Sequence, residues 1–95
     1  MARKKTDKVL GQRWLHVRPV GRRWVVRLYA EQYGPLRPVL TARPTRGEAV
    51  DAAADLQRVM STGPNDLIEM IIFTSGGRIS DRRSYPRSAD PLGGG

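Results

Sequence analysis

Residues 21–30, GRRWVVRLYA, alternate in character along their whole length. In an extended chain successive side chains point to opposite faces, so Trp24, Val26, Leu28 and Ala30 share one side and Arg23, Val25, Arg27 and Tyr29 the other. This period of two commits the segment to a strand with one face toward a core. A lone strand is not stable, so the rest of the chain must supply a sheet and a layer to cover its apolar face. The opposite face, with its two arginines, meets either water or something negatively charged.

The flanking sequence supplies the neighbours. WLHVRPV at 14–20 alternates too, with Leu15 and Val17 on one side and Trp14, His16 and Arg18 on the other. Pro19 and Gly21 close it, and the short link Val20-Gly21-Arg22 makes the two strands a hairpin. Gly34-Pro35 breaks the pattern. RPVLTAR at 37–43 resumes it as a third strand, with Leu40 and Ala42 expected inward and Val39, Thr41 and Arg43 outward.

TRGEAVDAAADLQRVM reads as a helix, because Thr45 followed three residues later by Glu48 makes a capping box. Ala49, Ala52, Ala53, Leu56, Val59 and Met60 fall on a stripe at helical spacing, with Asp51, Asp55 and Arg58 outside it. A helix with Asp51 and Asp55 one turn apart on its outer side is poorly suited to entering a DNA groove. Gly63-Pro64 ends the helix. LIEMIIF at 67–73 is too apolar for a half-exposed strand and reads as a buried central one, with Glu69 as a guard against aggregation. A two-residue turn at Gly76-Gly77 then leads into a return strand, RISDRRSY. The expected fold is α+β, a small antiparallel β-sheet packed on one α-helix in the order β-β-β-α-β-β. A flexible basic arm is expected over 1–12, a single domain over 13–86 and a flexible tail over 87–95.

Ninety-five residues suit one domain with a thin core. Without cysteine there is no disulfide framework, thiolate metal site or thiol nucleophile, and the expected location is cytoplasmic. The basic start is not followed by an apolar stretch, so no secretory signal or membrane span is expected. The net charge of +8 is segregated: residues 1–43 hold eleven Lys or Arg against Asp7 and Glu31, whereas residues 44–95 hold six against seven acids. A surface that merely keeps a protein dissolved usually mixes both signs, so the basic half points to a polyanion, with nucleic acid ahead of an anionic membrane.

Catalytic and metal chemistry find little support. His16 is the one histidine and has no ligand-type companions at useful spacing, so neither a metal nor a cofactor is expected. No Gly-x-Ser-x-Gly nucleophile turn is present. Ser75-Gly76-Gly77-Arg78 lacks the strand-to-helix setting of a phosphate loop and reads as a hairpin turn.

What remains is the outer face of the first three strands. There the alternation gathers Trp14, His16, Arg18, Arg23, Arg27, Tyr29, Arg37, Thr41 and Arg43. Arginine can fork onto guanine O6 and N7 or onto phosphates, and Thr41 can meet a thymine methyl or a phosphate. Trp14 and Tyr29 could each stack on one base. Arg3, Lys4 and Lys5 in the N-terminal arm would follow a phosphate backbone or enter a minor groove. The alternative is a solvated face whose arginine stems cover Trp14 and Tyr29. The last two strands folding back over this face, or an edge strand pairing with a second copy, would remove part of it.

Two resemblances accompany this reading. His16-Val17, Trp24-Val25-Val26, Thr45-Arg46-Gly47-Glu48-Ala49, Gly77-Arg78-Ile79, Ser84-Tyr85 and Asp90-Pro91 follow the pattern of the YdfB-like group of small bacterial and phage-associated domains. The chain resembles that group, departing from it in the EQYGPL loop and in the PRSA insert before Asp90. The resemblance implies a small sheet-plus-helix fold and no particular activity. Residues 22–60 also resemble, in layout, the arm-binding domains of tyrosine integrases and the plant ethylene-response-factor domain, which bind DNA through a three-stranded sheet. Carried over, that likeness would assign contacts to Arg23, Arg27, Arg37 and Arg43, and to Trp14 or Trp24.

The function expected is therefore that of a non-enzymatic DNA-binding regulatory or accessory protein of bacterial or phage type. Its partner would be duplex DNA, with RNA as a variant, and homodimer formation is compatible with this reading. The alternative is a protein-interaction module, such as a modulator of a host enzyme, whose arginines meet an acidic protein patch.

Overall fold

A computed structural model describes residues 12–86. The expected N-terminal arm up to residue 11, with Arg3, Lys4 and Lys5, and the expected tail from 87 lie outside the described residues. The elements are β1 (Arg13–Val20), β2 (Arg23–Ala30), a short 3-10 turn (Glu31–Tyr33), β3 (Val39–Arg43), the helix α1 (Arg46–Met60), β4 (Ile68–Phe73) and β5 (Ile79–Tyr85). They form one α+β unit, a five-stranded sheet in the order β3-β2-β1-β4-β5 with α1 on one face.

β1 and β2 form the tightest local unit, paired from Arg13↔Ala30 to Val20↔Arg23 around Gly21-Arg22. Gly21 has φ of 62°, the left-handed geometry that two-residue hairpin turns require at this position. Leu15, Val17 and Val26 point toward α1 and are fully buried, with Trp24 and Leu28 packed beside them. Beyond the hairpin the sheet is mixed rather than antiparallel throughout. β4 runs parallel to β1, with Leu15 beside Met70 and Val17 beside Ile72, and β5 pairs antiparallel with β4. Burial of β4 on both faces is the reason its sequence is apolar without alternation.

In α1, Thr45 Oγ1 accepts the Glu48 N–H at 3.2 Å and its hydroxyl donates to Glu48 Oε1 at 3.3 Å, so the expected cap is present. The buried stripe is rotated from the expected one. It holds Ala49, Val50, Ala53 and Gln57, flanked by Ala54, Leu56 and Met60, whereas Val59 is 80% exposed. Buried Gln57 turns inward because its amide donates to the carbonyls of Ile68 and Arg83, both at 2.8 Å. A polar side chain thus takes a core position by satisfying two strand carbonyls.

Two irregularities correct the expected faces. Between Val26 and Arg27 the β2–β3 register shifts, so that Arg27 faces Val39, Val26 faces Thr41, Val25 faces Ala42 and Trp24 faces Arg43. Residues directly opposite share a face. Val39 therefore points outward as expected, but the bulge at Leu40 reverses the residues after it: Ala42 lies on the outer face, and Thr41 and Arg43 lie on the helix side. There they border a cleft with Leu40, Ala52, Asp55 and Leu56. At the other hairpin, Gly77 N–H donates to Thr74 O at 2.9 Å, which centres the turn on Ser75-Gly76, one residue earlier than expected. Gly77 follows with φ of 84°, and the loop is the three-residue kind.

Candidate nucleic-acid interface

The face opposite α1 is lined, from β2 across to β5, by Arg23, Val25, Arg27 and Tyr29, then Trp14, His16 and Arg18, then Glu69, Ile71 and Phe73, then Arg82 and Ser84. β4 and β5 extend the sheet beside β1 and do not fold back over this face. Val25, Ile71 and Phe73 are nonetheless buried on it. Their register neighbours, Arg18 beside Val25 and His16 and Arg82 beside Ile71, lie across this apolar floor.

Across this face, ending on Phe73, runs a column of rings and guanidinium groups. Arg37 lies over the Tyr29 ring, 4.0 Å from its centroid. Tyr29 stacks on His16 at 3.8 Å with an interplanar angle of 20°. His16 meets Phe73 at 5.0 Å in a tilted arrangement, and Arg18 caps Phe73 at 4.4 Å. The rings come from three strands, β2, β1 and β4. Arg37 precedes β3 rather than starting it, and its Nη1 donates to the Gly34 carbonyl at 3.2 Å. Gly34, with φ of 59°, lets the loop turn back so that this carbonyl is within reach.

Burial of His16 first, and then the cations Arg18 and Arg37, push its pKa down from 6.5 to about 4. The imidazole is neutral at pH 7, and its Nδ1 is buried with no hydrogen-bond partner among the described residues. A neutral ring between two arginines avoids a third positive charge in the column.

Charge divides this face in two. Arg18, Arg23, Arg27 and Arg37 form no ion pair among the described residues. Arg27 Nη1 donates to Arg37 O at 3.2 Å, and Arg23 Nη2 reaches Ala42 O at 3.5 Å. Each guanidinium thus keeps most of its five donors for another partner. On the β4–β5 side, Glu69 pairs with Arg82 at 3.4 Å. Of the residues expected here, Trp14, Arg18, Arg23, Arg27, Tyr29 and Arg37 are brought together, and Thr41 and Arg43 are turned away by the bulge. Tyr29 is not free to stack on a base, because His16 and Arg37 occupy its ring.

Phe73 was not expected at this site. It sits at the end of an apolar run that reads as core, and only the parallel pairing of β1 with β4 brings it beside Arg18. Arg13 departs from the pattern in the other direction. It is buried on the helix side, where its Nη2 donates to both carboxylate oxygens of Asp66 and Nη1 reaches Met60 O at 3.4 Å. That contact holds the Asp66 carboxyl below its usual range. Among the described residues no cluster of His, Cys, Asp or Glu is arranged to hold a metal, and no helix is long and apolar enough to cross a membrane. No protein-family model, curated protein or solved structure matches this chain.

Proposed function

We propose that this protein is a non-enzymatic nucleic-acid-binding protein that docks the β3-β2-β1 part of its open sheet face onto duplex DNA. The observation that carries this reading is the group of four arginines, Arg18, Arg23, Arg27 and Arg37, on one face without carboxylate partners among the described residues. Size favours only part of the sheet. Three strand axes span about 10 Å, against a major groove about 12 Å wide, whereas five strands span about 19 Å. The half that fits is the half with the unpaired arginines. Occupied ring faces on Tyr29 and His16 favour a duplex over a single strand, which needs free rings for its bases.

Anisotropy titrations of labelled duplex DNA and single-stranded RNA at two salt concentrations test the reading. If about six basic residues of the face and the N-terminal end meet phosphates, the log-log salt slope for the duplex should be about −5. Arg23→Ala with Arg27→Ala should weaken binding and make the slope shallower by about 2, with the thermal midpoint little changed. A folded double mutant with unaltered affinity removes the sheet-face reading.

The second reading, a protein-interaction module, is favoured by one observation. Leu36 is 65% and Tyr33 43% exposed, and with Leu28, Arg37, Pro38 and Leu40 they line a mostly apolar groove of about 490 Å³ at the β3 corner. If duplex DNA does not bind at low salt, a stoichiometric protein partner that survives nuclease treatment and is lost with Leu36→Ser supports this second reading.

A further inference from the structure

The four arginines of the open face are held in two different ways. Arg23 and Arg27 make single contacts to backbone carbonyls of the neighbouring segment. Arg18 and Arg37 lie over aromatic rings at 4.4 and 4.0 Å, one at each end of the column Tyr29, His16, Phe73, and Arg37 is held additionally by the bond from its Nη1 to the Gly34 carbonyl. A guanidinium resting on a ring keeps its plane fixed while its edge donors remain available.

That difference matters for recognition. A phosphate accepts a hydrogen bond from many directions, whereas a base edge with two adjacent acceptors accepts a planar fork in one orientation. A side chain already held in place also loses less freedom on binding than a mobile one. From these arguments, and resting on the DNA-binding reading above, we infer that Arg18 and Arg37 discriminate base edges, that Tyr29, His16 and Phe73 are their positioning residues, and that Arg23 and Arg27 contact the phosphate backbone.

The division of labour is consistent with the register. His16 lies beside Arg27 on one side and Ile71 on the other, so the column crosses β2, β1 and β4, with Arg37 contributed from the segment before β3 and Arg18 from β1 itself. A neutral His16 is needed for this arrangement, since a cation there would repel both. Val25 and Ile71 are buried on the same face, Val25 beside Arg18 and Ile71 beside His16.

The test is a selection from a random-sequence duplex library with the full chain, followed by affinities for the preferred duplex and a scrambled one. Wild type should show a preference. Arg18→Lys, Arg37→Lys and Tyr29→Leu should each reduce it by about fivefold or more, because losing one good bidentate contact costs about 1–3 kcal/mol. Tyr29→Phe, which keeps the ring, should retain the preference, as should Arg23→Lys. The salt slope should stay at the wild-type value in the lysine variants, since their charge is kept; a purely structural lesion would move slope and preference together. The lysine variants lie on the open face and read the proposal even if Tyr29→Leu does not fold. Wild-type binding without sequence preference, or preference undiminished in the two lysine variants, overturns the assignment and leaves the DNA-binding reading in place. Failure of the wild type to bind any duplex overturns both.

Discussion

His16 has a consequence for stability that can be worked out in sign. In the unfolded chain it takes up a proton near pH 6.5, but in the fold only near 4, because it is buried and faces Arg18 and Arg37. Between those values the unfolded state binds more protons, so the stabilising contribution is fully present above pH 6.5 and is lost as the pH falls toward 4. His16→Gln, which cannot titrate, should flatten the fall in thermal midpoint between pH 7 and 4.5. An unchanged slope would show that His16 is not shielded in this way. At this scale the sequence was informative about side but not about company. Alternation put His16 and Tyr29 on one face with Arg18, yet nothing within residues 14–30 announces that Phe73 joins them. That contact depends on a pairing between segments more than fifty residues apart.

The bulge in β3 is the element whose effect on the proposed interface is largest. It leaves Val39 outward and turns Arg43 to the helix side, where Arg43 Nε donates to Thr41 Oγ1 at 3.0 Å. Arg43→Ala should therefore change duplex affinity by less than about twofold, whereas Arg27→Ala, through a charged contact, should cost about tenfold. Equal losses in the two variants, measured by anisotropy at one salt concentration, would contradict the face assignment. The regular elements were legible for physical reasons. The β1–β2 hairpin announces itself by uninterrupted alternation around Gly21, and α1 by Thr45 and Glu48. The faces of β3 are not legible in the sequence, because a bulge inserts one residue without leaving a signature in five residues. The helix stripe is not fully legible, because Gln57 is buried for two hydrogen bonds that the pattern of apolar residues does not encode.

At the scale of the whole molecule, the parallel pair β1–β4 sets the limits of what can fold. β1 lies at the middle of the sheet, between β2 and β4, so the three strands and helix of residues 12–62 do not form a closed unit. Without β4, the β1 edge and the buried side chains Leu15 and Val17 lose Met70 and Ile72 as neighbours. A fragment ending at residue 62 should lack a cooperative thermal transition by circular dichroism, while the full chain shows one. A well-folded fragment would mean that the first three strands and the helix are self-sufficient. The need for β4 was not legible, because an apolar run identifies a buried strand without saying which neighbour it joins.

The same pairing bears on the order in which a newly made chain acquires its parts. Synthesis proceeds from the N-terminus, and the basic residues up to Arg43 leave the ribosome well before Phe73 does. An unfinished chain therefore carries the charge of the interface without the ring that caps Arg18. Under the proposed function it would hold nucleic acid only loosely, without the fixed geometry of the complete face. Completion of β4 closes the core and sets Arg18 over Phe73 in the same event, so under the proposed function the capacity to discriminate would arrive only with the finished fold.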